Sequence, residues 1–245
     1  MNGTISIRIN ELTKNFGATH ALNHLSAEFA AGSLHGIIGP DGAGKTTLLR
    51  IVSGLLHPSS GTVEYVTDGA QTAFESLRPS IGYMPSRASL YPDLSIEEHM
   101  VFFKNLYQID EHEYARKHDE LLAMMRLEAF KDRKAGALSG GMYKKAALMC
   151  TLLRSPRVLL LDEPTNGVDP ISRREFWELL YRSAAENILI ITATAYMDEA
   201  ERCGTVHLID SGRQIATGEP GALLEAEGAK DFGDIFIKKT APAAS

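Results

Sequence analysis

The order of apolar and polar residues predicts strands that alternate with helices along most of the chain. Near the start, Ile5, Ile7 and Ile9 alternate with polar residues, which is typical of a strand with one buried face. A second strand pattern covers residues 21–29. Continuous apolar runs then recur at LHGIIG (34–39), VLLLD (158–162), ILIIT (188–192) and VHLID (206–210). Because short, fully apolar strands separated by helices are typical of a parallel sheet covered on both faces, the pattern predicts an α/β fold.

Helical periodicity fills the spaces between these strands. A long helical block from Ser95 to about Ala147 interrupts the strand pattern, and we interpret it as an insertion. Shorter β stretches at 61–66 and 81–85 precede that block. The remaining predicted helices cover residues 45–55, 171–186 and 196–203.

The composition is that of an ordinary globular protein, and it narrows the classes of function. Apolar residues make up 44% and charged residues 23% of the 245 positions, and the formal net charge is −6. This balance gives no support to nucleic-acid binding, which usually shows as a basic excess or stripe. Cys150 and Cys203 form no CxxC pair, so we expect buried free thiols in a reducing compartment. Because the chain shows no signal-peptide pattern and no long apolar run, we expect a cytoplasmic location.

Residues 39–46, GPDGAGKT, match the complete GxxxxGK(S/T) pattern between a predicted strand and a predicted helix. Glycines let consecutive backbone N–H groups turn toward phosphate oxygens, and the start of the helix adds positive dipole. We therefore expect Lys45 to reach the β- and γ-phosphates of a nucleotide, and the Thr46 hydroxyl to bind Mg²⁺. Asp41 brings a negative charge near the phosphates, but this position of the loop contributes mainly backbone. The alternative is a chance glycine-rich turn.

Two consecutive carboxylates, Asp162 and Glu163, follow the apolar run VLLL. Side chains at the carboxyl end of a buried parallel strand face the crevice in which α/β proteins bind nucleotides. We expect Asp162 to hold the Mg²⁺ shell and Glu163 to polarise the attacking water as general base. Carboxylates at such positions often merely cap helices. Two in succession, in a chain that also has the glycine-rich loop, favour the catalytic interpretation.

The segment LSGGM at 138–142 ends the helical block and opens another helix. Serine and glycine at the start of a helix are weak evidence alone, but the position of this segment between the glycine-rich loop and the acidic strand resembles the LSGGQ signature of ABC-type ATPases. TNGVDP (165–170) resembles the family's loop after the acidic strand, and AYMDEAERC (195–203) resembles the helix after its histidine switch. DFGDIFIKKT (231–240) is similar to the closing segment of bacterial ABC-2-type exporter ATPases.

The resemblance covers essentially the whole chain and implies a fold for it. The expected fold is a P-loop NTPase core with a mostly parallel sheet, an antiparallel β subdomain near the N-terminus and an inserted α-helical subdomain. It implies a single ABC-type ATPase domain over residues 1–240. Within it, 1–85 and 156–227 form the core with the β subdomain, and 86–155 form the helical subdomain. Residues 228–245 are expected as a C-terminal segment and a tail or linker.

The resemblance also implies an assembly in which two such domains sandwich two ATP molecules with Mg²⁺. Each glycine-rich loop faces the signature of the other domain, and Asp169 helps to join the two. Phe16 matches the aromatic residue that stacks on adenine, although it equally fits a core strand position. The other nucleotide contacts are Gly39, Pro40, Asp41, Gly42, Ala43, Gly44, Lys45, Thr46 and Thr47. The signature residues for the partner's ATP are Leu138, Ser139, Gly140, Gly141 and Met142.

Two positions depart from the family's pattern. Ser86 stands where the family has a glutamine that reads Mg²⁺ and the attacking water, and a serine is too short for the same reach. Ala195 replaces the histidine that contacts the γ-phosphate, and alanine supplies no donor. Because losing one preorganised donor typically slows catalysis by about 10²- to 10³-fold while binding persists, we expect an impaired hydrolysis site. A neighbouring donor such as Thr194, or a water, is the alternative.

The preferred interpretation is the ATP-binding motor of an ABC-type membrane exporter. It would lie on the inner face of the cell membrane, bound to transmembrane permease subunits through a groove that includes residues 86–94. Exposed Leu90 and Tyr91 are candidate contacts there, and they equally fit packing of the insertion. The second ATPase domain would form a homodimer or heterodimer, or follow in a longer chain.

Two other functions stay open. One is a soluble ABC-type ATPase that acts on ribosomes or DNA, which the acidic charge and the lack of a basic arm disfavour, so no nucleic-acid partner is expected. The other is an ATP-binding regulator without turnover.

Overall fold

The computed structural model describes residues 4–87 and 89–241. The strands are β1 (Ile5–Phe16), β2 (Thr19–Ala30), β3 (Leu34–Ile38), β4 (Ser60–Thr67), β5 (Ala70–Thr72), β6 (Ile81–Met84), β7 (Val158–Asp162), β8 (Leu189–Thr194), β9 (Thr205–Asp210) and β10 (Arg213–Gly218). The α-helices are α1 (Lys45–Val52), α2 (Phe74–Leu77), α3 (Ile96–Tyr107), α4 (Glu111–Met125), α5 (Gly140–Leu152), α6 (Pro170–Ala185), α7 (Pro220–Ala226) and α8 (Phe232–Thr240). Short 3₁₀ helices occupy Arg78–Ser80, Glu128–Phe130, Ala135–Ala137 and Met197–Arg202. Within the described ranges, no helix combines the length and apolar character needed to cross a bilayer.

The N-terminal half contains an antiparallel sheet in the order β2-β1-β4-β5. Ile5, Ile7 and Ile9 are buried on one face of β1 while intervening residues are more exposed, as the alternation predicts. They share one apolar cluster with Leu48 and Leu49 of α1 and with one face of the second sheet. The helix that follows the glycine-rich loop is therefore held in a core that joins both sheets.

The second sheet has the order β10-β9-β3-β8-β7-β6, and only β10 runs antiparallel to its neighbour. Leu160 packs into the cluster with α1, whereas Leu159 and Leu161 pack into a second cluster with the helices on the opposite face. Burial on both faces explains why these strands are apolar throughout rather than alternating. The predicted α/β fold is confirmed.

The carboxyl ends of the central strands meet at one edge of this sheet. Ile38 of β3 is paired with Thr194 of β8, and Asp162 of β7 is paired with Ala193 of β8. The residues that directly follow β3, β7 and β8 are therefore neighbours in space although the sequence separates them widely. That edge is where the candidate site forms.

Helices α3, α4 and α5 lie between β6 and β7 in the chain, as the helical block predicts. Helix α3 begins with a capping box in which Ser95 and Glu98 satisfy each other's backbone N–H groups. On α4, Lys117 donates from Nζ to the carbonyl of Leu153 at 2.9 Å, just beyond the end of α5. This bond holds α4 against α5.

The two cysteines are buried free thiols, which confirms the sequence expectation. Burial raises the pKa of both the Cys150 and the Cys203 thiol to about 12. Cys203 lies just after the 3₁₀ helix Met197–Arg202, where the sequence predicted a helix over 196–203.

A buried pair of histidines joins β3 to β9. His35 Nδ1 and His207 Nε2 are 3.2 Å apart, and Phe29 packs against both rings. The remaining nitrogens also have partners, because the Ala30 amide donates to His35 Nε2 and Gln214 lies 3.0 Å from His207 Nδ1. Each neutral imidazole has one nitrogen that donates and one that accepts. The contacts of all four ring nitrogens can therefore be satisfied without a charge on either histidine.

The expectation that Leu90 is exposed is wrong. Only 5% of Leu90 is accessible, and its amide donates to the Tyr143 hydroxyl at 2.8 Å. Tyr91 is 55% exposed, as expected, and stacks on His99 while its amide donates to the same ring at 2.8 Å. Leu90 therefore packs the insertion.

Residues 228–245, expected as a C-terminal segment with a tail or linker, contain helix α8. Asp231 caps this helix by accepting from the Asp234 amide at 2.8 Å. Phe232 and Ile235, three residues apart and so on one helical face, are buried in the cluster that covers the central sheet. Residues 242–245 lie outside the described part of the chain. Strand β10 and helix α7, which lie before α8, were not predicted.

Candidate nucleotide-binding site

The glycine-rich loop forms the turn between β3 and α1, as its sequence context predicts. Gly39 approaches the sheet so closely that a Cβ atom there would lie 2.1 Å from the Ile209 carbonyl oxygen. Gly44 has φ 106°, and a Cβ atom there would lie 2.4 Å from the Ala21 carbonyl oxygen. Only glycine fits both positions, because each lacks space for a Cβ atom and the left-handed backbone at Gly44 also disfavours a side chain. The amides at the start of α1 are thereby left facing outward.

Lys45, the first residue of α1, carries a buried ammonium group. Its Nζ donates to the carbonyls of Gly39 at 2.8 Å and Pro40 at 3.1 Å, and it lies 3.3 Å from Glu163 Oε1. The loop carbonyls and the carboxylate thus hold the charge at the mouth of the loop. An ammonium in this place can attract the phosphates of a nucleotide.

Thr46 and Asp162 bring two kinds of oxygen together. The Thr46 hydroxyl donates to both carboxylate oxygens of Asp162, at 2.9 and 3.0 Å. Hydroxyl and carboxylate oxygens are ligands that Mg²⁺ accepts, and this ion usually completes its shell with water and phosphate. Among the residues that the structure describes, no group of three or more His, Cys, Asp or Glu forms a cage for a metal. The Thr46–Asp162 pair therefore fits Mg²⁺ that arrives with a phosphate ligand.

Glu163 is the first residue after β7 and has φ 48°, in the left-handed region that costs energy for a residue with a side chain. Its amide donates to the Ala193 carbonyl at 2.8 Å. Burial raises the pKa of the Glu163 carboxyl, although the Lys45 ammonium acts in the opposite direction. A carboxylate with a raised pKa is a better proton acceptor, as a general base requires.

Lys45, Thr46 and Glu163 line one open cavity of about 450 Å³, and Asp162 is buried directly behind Thr46. From the glycine-rich loop and α1 it is lined by Asp41, Gly42, Gly44, Lys45, Thr46 and Thr47, from β2 by Ala21, and from the segments after β6 and β7 by Ser86, Arg87, Glu163 and Asn166. Gly39, Pro40 and Ala43 form the loop without lining the cavity. Phe16 is 51% exposed and also lies outside the lining. The structure thus brings together most of the predicted phosphate contacts, and Phe16 lies at the β1–β2 turn, close in sequence to the lining residue Ala21.

Comparison with known proteins agrees with this geometry. The sequence profile described as ABC transporter matches residues 22–166. The chain belongs to the ABC transporter family. Domains of this family that carry the matched region bind ATP and are ATPases.

Named relatives of this ABC-type chain include two kinds of bacterial protein. It is 41% identical over 234 residues to the probable multidrug ABC transporter ATP-binding protein YbhF of Escherichia coli (strain K12), an alignment that covers 95% of this chain and 40% of YbhF. It is 36% identical over 231 residues to Nod factor export ATP-binding protein I of Burkholderia lata, covering 94% of this chain and 76% of the relative. The chain therefore spans well under half the length of YbhF.

Solved structures match the fold along nearly the whole chain. One, titled as the ATP-binding subunit of an ABC transporter, has a TM-score of 0.82 and 26% identity, with 96% of this chain and 99% of that chain covered. The cbiO1 protein of Clostridium perfringens, described as part of the ABC transporter complex cbiONQ, has a TM-score of 0.79 and 30% identity, with 89% and 90% covered. The ABC-type P-loop NTPase fold expected from the motifs is confirmed.

The two departures from the ABC family's pattern lie at the same site. Ser86 lines the cavity. Ala195 follows β8, and its backbone amide donates to the Glu163 carboxylate, but its side chain is only a methyl group. Thr194 is fully buried, and its hydroxyl accepts from the Tyr196 amide at 3.1 Å. Because its side chain is fully buried and already engaged by the Tyr196 amide, Thr194 is poorly placed to replace the histidine.

The ABC signature segment lies away from this cavity. Ser139 caps α5, with its hydroxyl accepting from the Met142 amide at 3.3 Å, and both Ser139 and Gly140 are exposed. A Cβ atom on Gly141 would lie 2.5 Å from the Ser172 side chain of α6. Asp169 caps α6 by accepting from the amides of Ile171 and Ser172, which lowers the pKa of the Asp169 carboxyl. Signature and Asp169 thus belong to one surface, distinct from the chain's own cavity.

Five residues of the site were not predicted from sequence: Ala21, Tyr83, Arg87, Lys144 and Asn166. The Tyr83 hydroxyl donates to Asp162 at 3.4 Å, and burial together with the Asp162 charge raises the pKa of Tyr83. Its position on the strand next to β7 was the available signal. Lys144 is buried on α5, where a lysine ordinarily marks a solvent-exposed position.

Proposed function

We propose that this chain is the ATP-binding motor subunit of an ABC-type membrane exporter, which couples ATP binding and hydrolysis to transport of a substrate. The names of two relatives support the exporter branch, one described as a multidrug transporter and the other as a Nod factor export protein. The observation that carries the proposal is the convergence of Lys45, Thr46 and Glu163 on one cavity at the carboxyl edge of the central sheet, with Asp162 hydrogen-bonded to Thr46 behind it.

In this proposal ATP lies along the glycine-rich loop with its phosphates at Lys45 and the amides of α1. Thr46 and Asp162 would hold Mg²⁺, which neutralises charge that develops on the phosphates. Glu163 would accept a proton from the attacking water, and its raised pKa suits that role. Tyr83 orients Asp162 through its hydroxyl.

We propose further that this site retains ATP better than it hydrolyses it. The wall of the site formed by the ends of β6 and β8 offers Ser86 and Ala195, which supply a short hydroxyl and a methyl group. Charge on the transferring phosphate is therefore stabilised by fewer side-chain donors, and losing one such donor usually costs about 10²- to 10³-fold in rate. Binding depends mainly on the loop and Lys45, so it would persist.

The signature surface supports a sandwich of two ATPase domains. Ser139 and Gly140 are exposed and lie outside the chain's own cavity, so they are available to a nucleotide held by a second domain. That domain could belong to a second copy, another chain or the same longer protein. Transmembrane permease subunits would bind near the exposed Tyr91, which places the motor at the inner face of the membrane.

A gain-of-function experiment tests the impaired site. Ser86→Gln combined with Ala195→His should raise the rate of phosphate release by at least about tenfold, because two donors are restored to the transferring phosphate. Ser86→Gln combined with Ala195→Leu is the matched control, since leucine adds bulk without a ring nitrogen. Wild-type turnover already at about tens per second, the range of efficient phosphoryl-transfer enzymes, would contradict the proposal.

A regulatory ATP-binding partner without turnover is the second candidate, because Ser86 and Ala195 favour it equally. Single-turnover hydrolysis with excess protein separates the two functions. Slow but complete conversion of bound ATP supports a motor, whereas stable bound ATP in the presence of the second ATPase domain supports the regulator.

A further inference from the structure

Lys144 of helix α5 bridges two parts of the cavity wall. Only 8% of this lysine is accessible. Its Nζ donates to the Ser86 carbonyl at 3.2 Å and to the Glu163 carbonyl at 3.0 Å. The ammonium therefore joins the segments that follow β6 and β7 to the helix that begins at the ABC signature.

The hydrogen bond from Lys144 holds the backbone of Glu163, and that backbone sets the direction of the Glu163 carboxylate. The Glu163 backbone is left-handed, with φ 48°, and its amide is fixed by the Ala193 carbonyl. Its carbonyl accepts from Lys144 at 3.0 Å and from the Asn166 amide at 3.3 Å. Because a left-handed residue relaxes unless its surroundings hold it, these bonds on both sides of Glu163 fix the side chain's starting point.

The burial of Lys144 is costly for a purely structural contact. Among the described residues, no carboxylate forms an ion pair with its Nζ, which donates to two neutral carbonyls. Burial lowers the pKa of Lys144, although the charges of Asp162 and Glu163 act in the opposite direction. An apolar side chain of similar length would fill the same space without the penalty of removing an ammonium from water. What an apolar residue would lose is the connection between Ser86, Glu163 and α5.

Helix α5 links the Lys144 contacts to the signature segment at its N-terminus. Ser139, the capping residue of α5, lies five residues before Lys144, a rise of about 7 to 8 Å along a rigid helix. We propose that Lys144 is a positioning residue that transmits the position of the signature helix to Glu163 and to the Ser86 segment. Contact of the signature with a partner's ATP would thereby align the base of the chain's own site. This inference rests on the proposed function, because it takes Glu163 as the base.

The neighbouring lysine provides a matched control. Lys145 is equally buried at 8% and lies on the same helix, but its Nζ pairs with Glu175 of α6, away from the cavity. Lys144→Met and Lys145→Met thus remove the same charge from the same helix. Differences between them report the contacts of Lys144 rather than the stability of α5.

Hydrolysis of ATP by the full chain, with excess protein in single-turnover conditions, is the first measurement. Lys144→Met should lower the rate constant by about 10- to 100-fold, since misplacing a catalytic group by about 1 Å costs this much. The Kd for ATP should stay within about threefold, because the glycine-rich loop and Lys45 are untouched. Lys145→Met should change neither quantity by more than about threefold.

Amide hydrogen exchange of residues 159–166 is the second measurement, and it does not require turnover. Exchange in this segment should rise in Lys144→Met but not in Lys145→Met. Equal behaviour of the two variants in rate and exchange would overturn the role of Lys144. If the wild-type chain binds no ATP, the proposed function fails instead, and the exchange comparison still decides whether Lys144 holds Glu163.

Discussion

Acid should destabilise the protein through the buried pair His35 and His207, and replacing His207 with glutamine should remove most of that effect. Burial lowers the pKa of His207 to about 4, and it also lowers the pKa of His35. An exposed histidine has a pKa of about 6.5. The unfolded chain therefore binds a proton at His207 more readily than the folded chain, so stability falls as the pH falls from about 6.5 toward 4.

The magnitude follows from the difference between the two pKa values. A gap of about 2.5 units corresponds to about 3 kcal/mol once the pH has reached the lower value, at 1.36 kcal/mol per unit. Between pH 7 and pH 5 the loss from His207 alone is about 2 kcal/mol. The direction at His35 is the same, so the pair adds to the loss. Because β3 runs directly into the glycine-rich loop, nucleotide binding should weaken together with the fold.

Urea unfolding monitored by fluorescence or circular dichroism at pH 7, 6 and 5 measures this loss. The free energy of unfolding of His207→Gln should fall by about 2 kcal/mol less than that of the wild type over this range. His112→Gln is the control, because His112 is exposed on α4. This substitution should leave the dependence of the unfolding free energy on pH as it is in the wild type. Parallel curves for wild type and His207→Gln would refute the reasoning.

Two further predictions concern the nucleotide. Lys45→Ala should raise the Kd for ATP by about 10- to 100-fold, because hydrogen bonds to charged groups contribute about 1.5 to 3 kcal/mol, and calorimetric titration at fixed Mg²⁺ would measure it. Unchanged affinity would remove the basis for placing phosphates at the loop. Ser139→Arg should slow hydrolysis at the partner's site more than at the site of the chain that carries the substitution. In a mixed dimer, placing Lys45→Ala in one domain or in the other leaves a single site able to bind ATP, so single-turnover assays can measure the two sites separately. Equal loss at both sites would argue against a signature that serves the partner.

The sequence was most informative where local pattern and global burial agree. The runs at β3, β7 and β8 are apolar because both faces of their sheet are covered, so their pattern alone predicted an α/β core. The glycine-rich loop was equally readable, since its spacing is dictated by the approach of backbone to phosphate. A motif whose residues all lie within one short segment can therefore be recognised in a single sequence.

Other features depend on segments that are distant in sequence. Leu90 was expected to be exposed, but it packs into the apolar cluster of the insertion, and the Tyr143 hydroxyl, 53 residues away, accepts from its amide. Lys144 is buried because carbonyls 58 and 19 residues away accept from it. No periodicity within α5 marks that position. At both residues, tertiary contacts rather than the local sequence pattern decide burial. Lys144 contacts the wall of the cavity, and Leu90 lies in the segment that follows Ser86.

The close packing of the signature glycines against other segments of the same chain bears on how such domains evolve. A Cβ atom on Gly140 would lie 2.9 Å from the Gly167 carbonyl oxygen, and one on Gly141 would collide with Ser172. Selection for a stable fold would retain both glycines even in a lineage whose partner no longer held a nucleotide. Ser139 is different, because Thr, Asp or Asn could cap α5 equally well. When the sequences of duplicated domains are compared, the residue at the Ser139 position therefore indicates better than the two glycines whether the domain still serves a nucleotide on its partner.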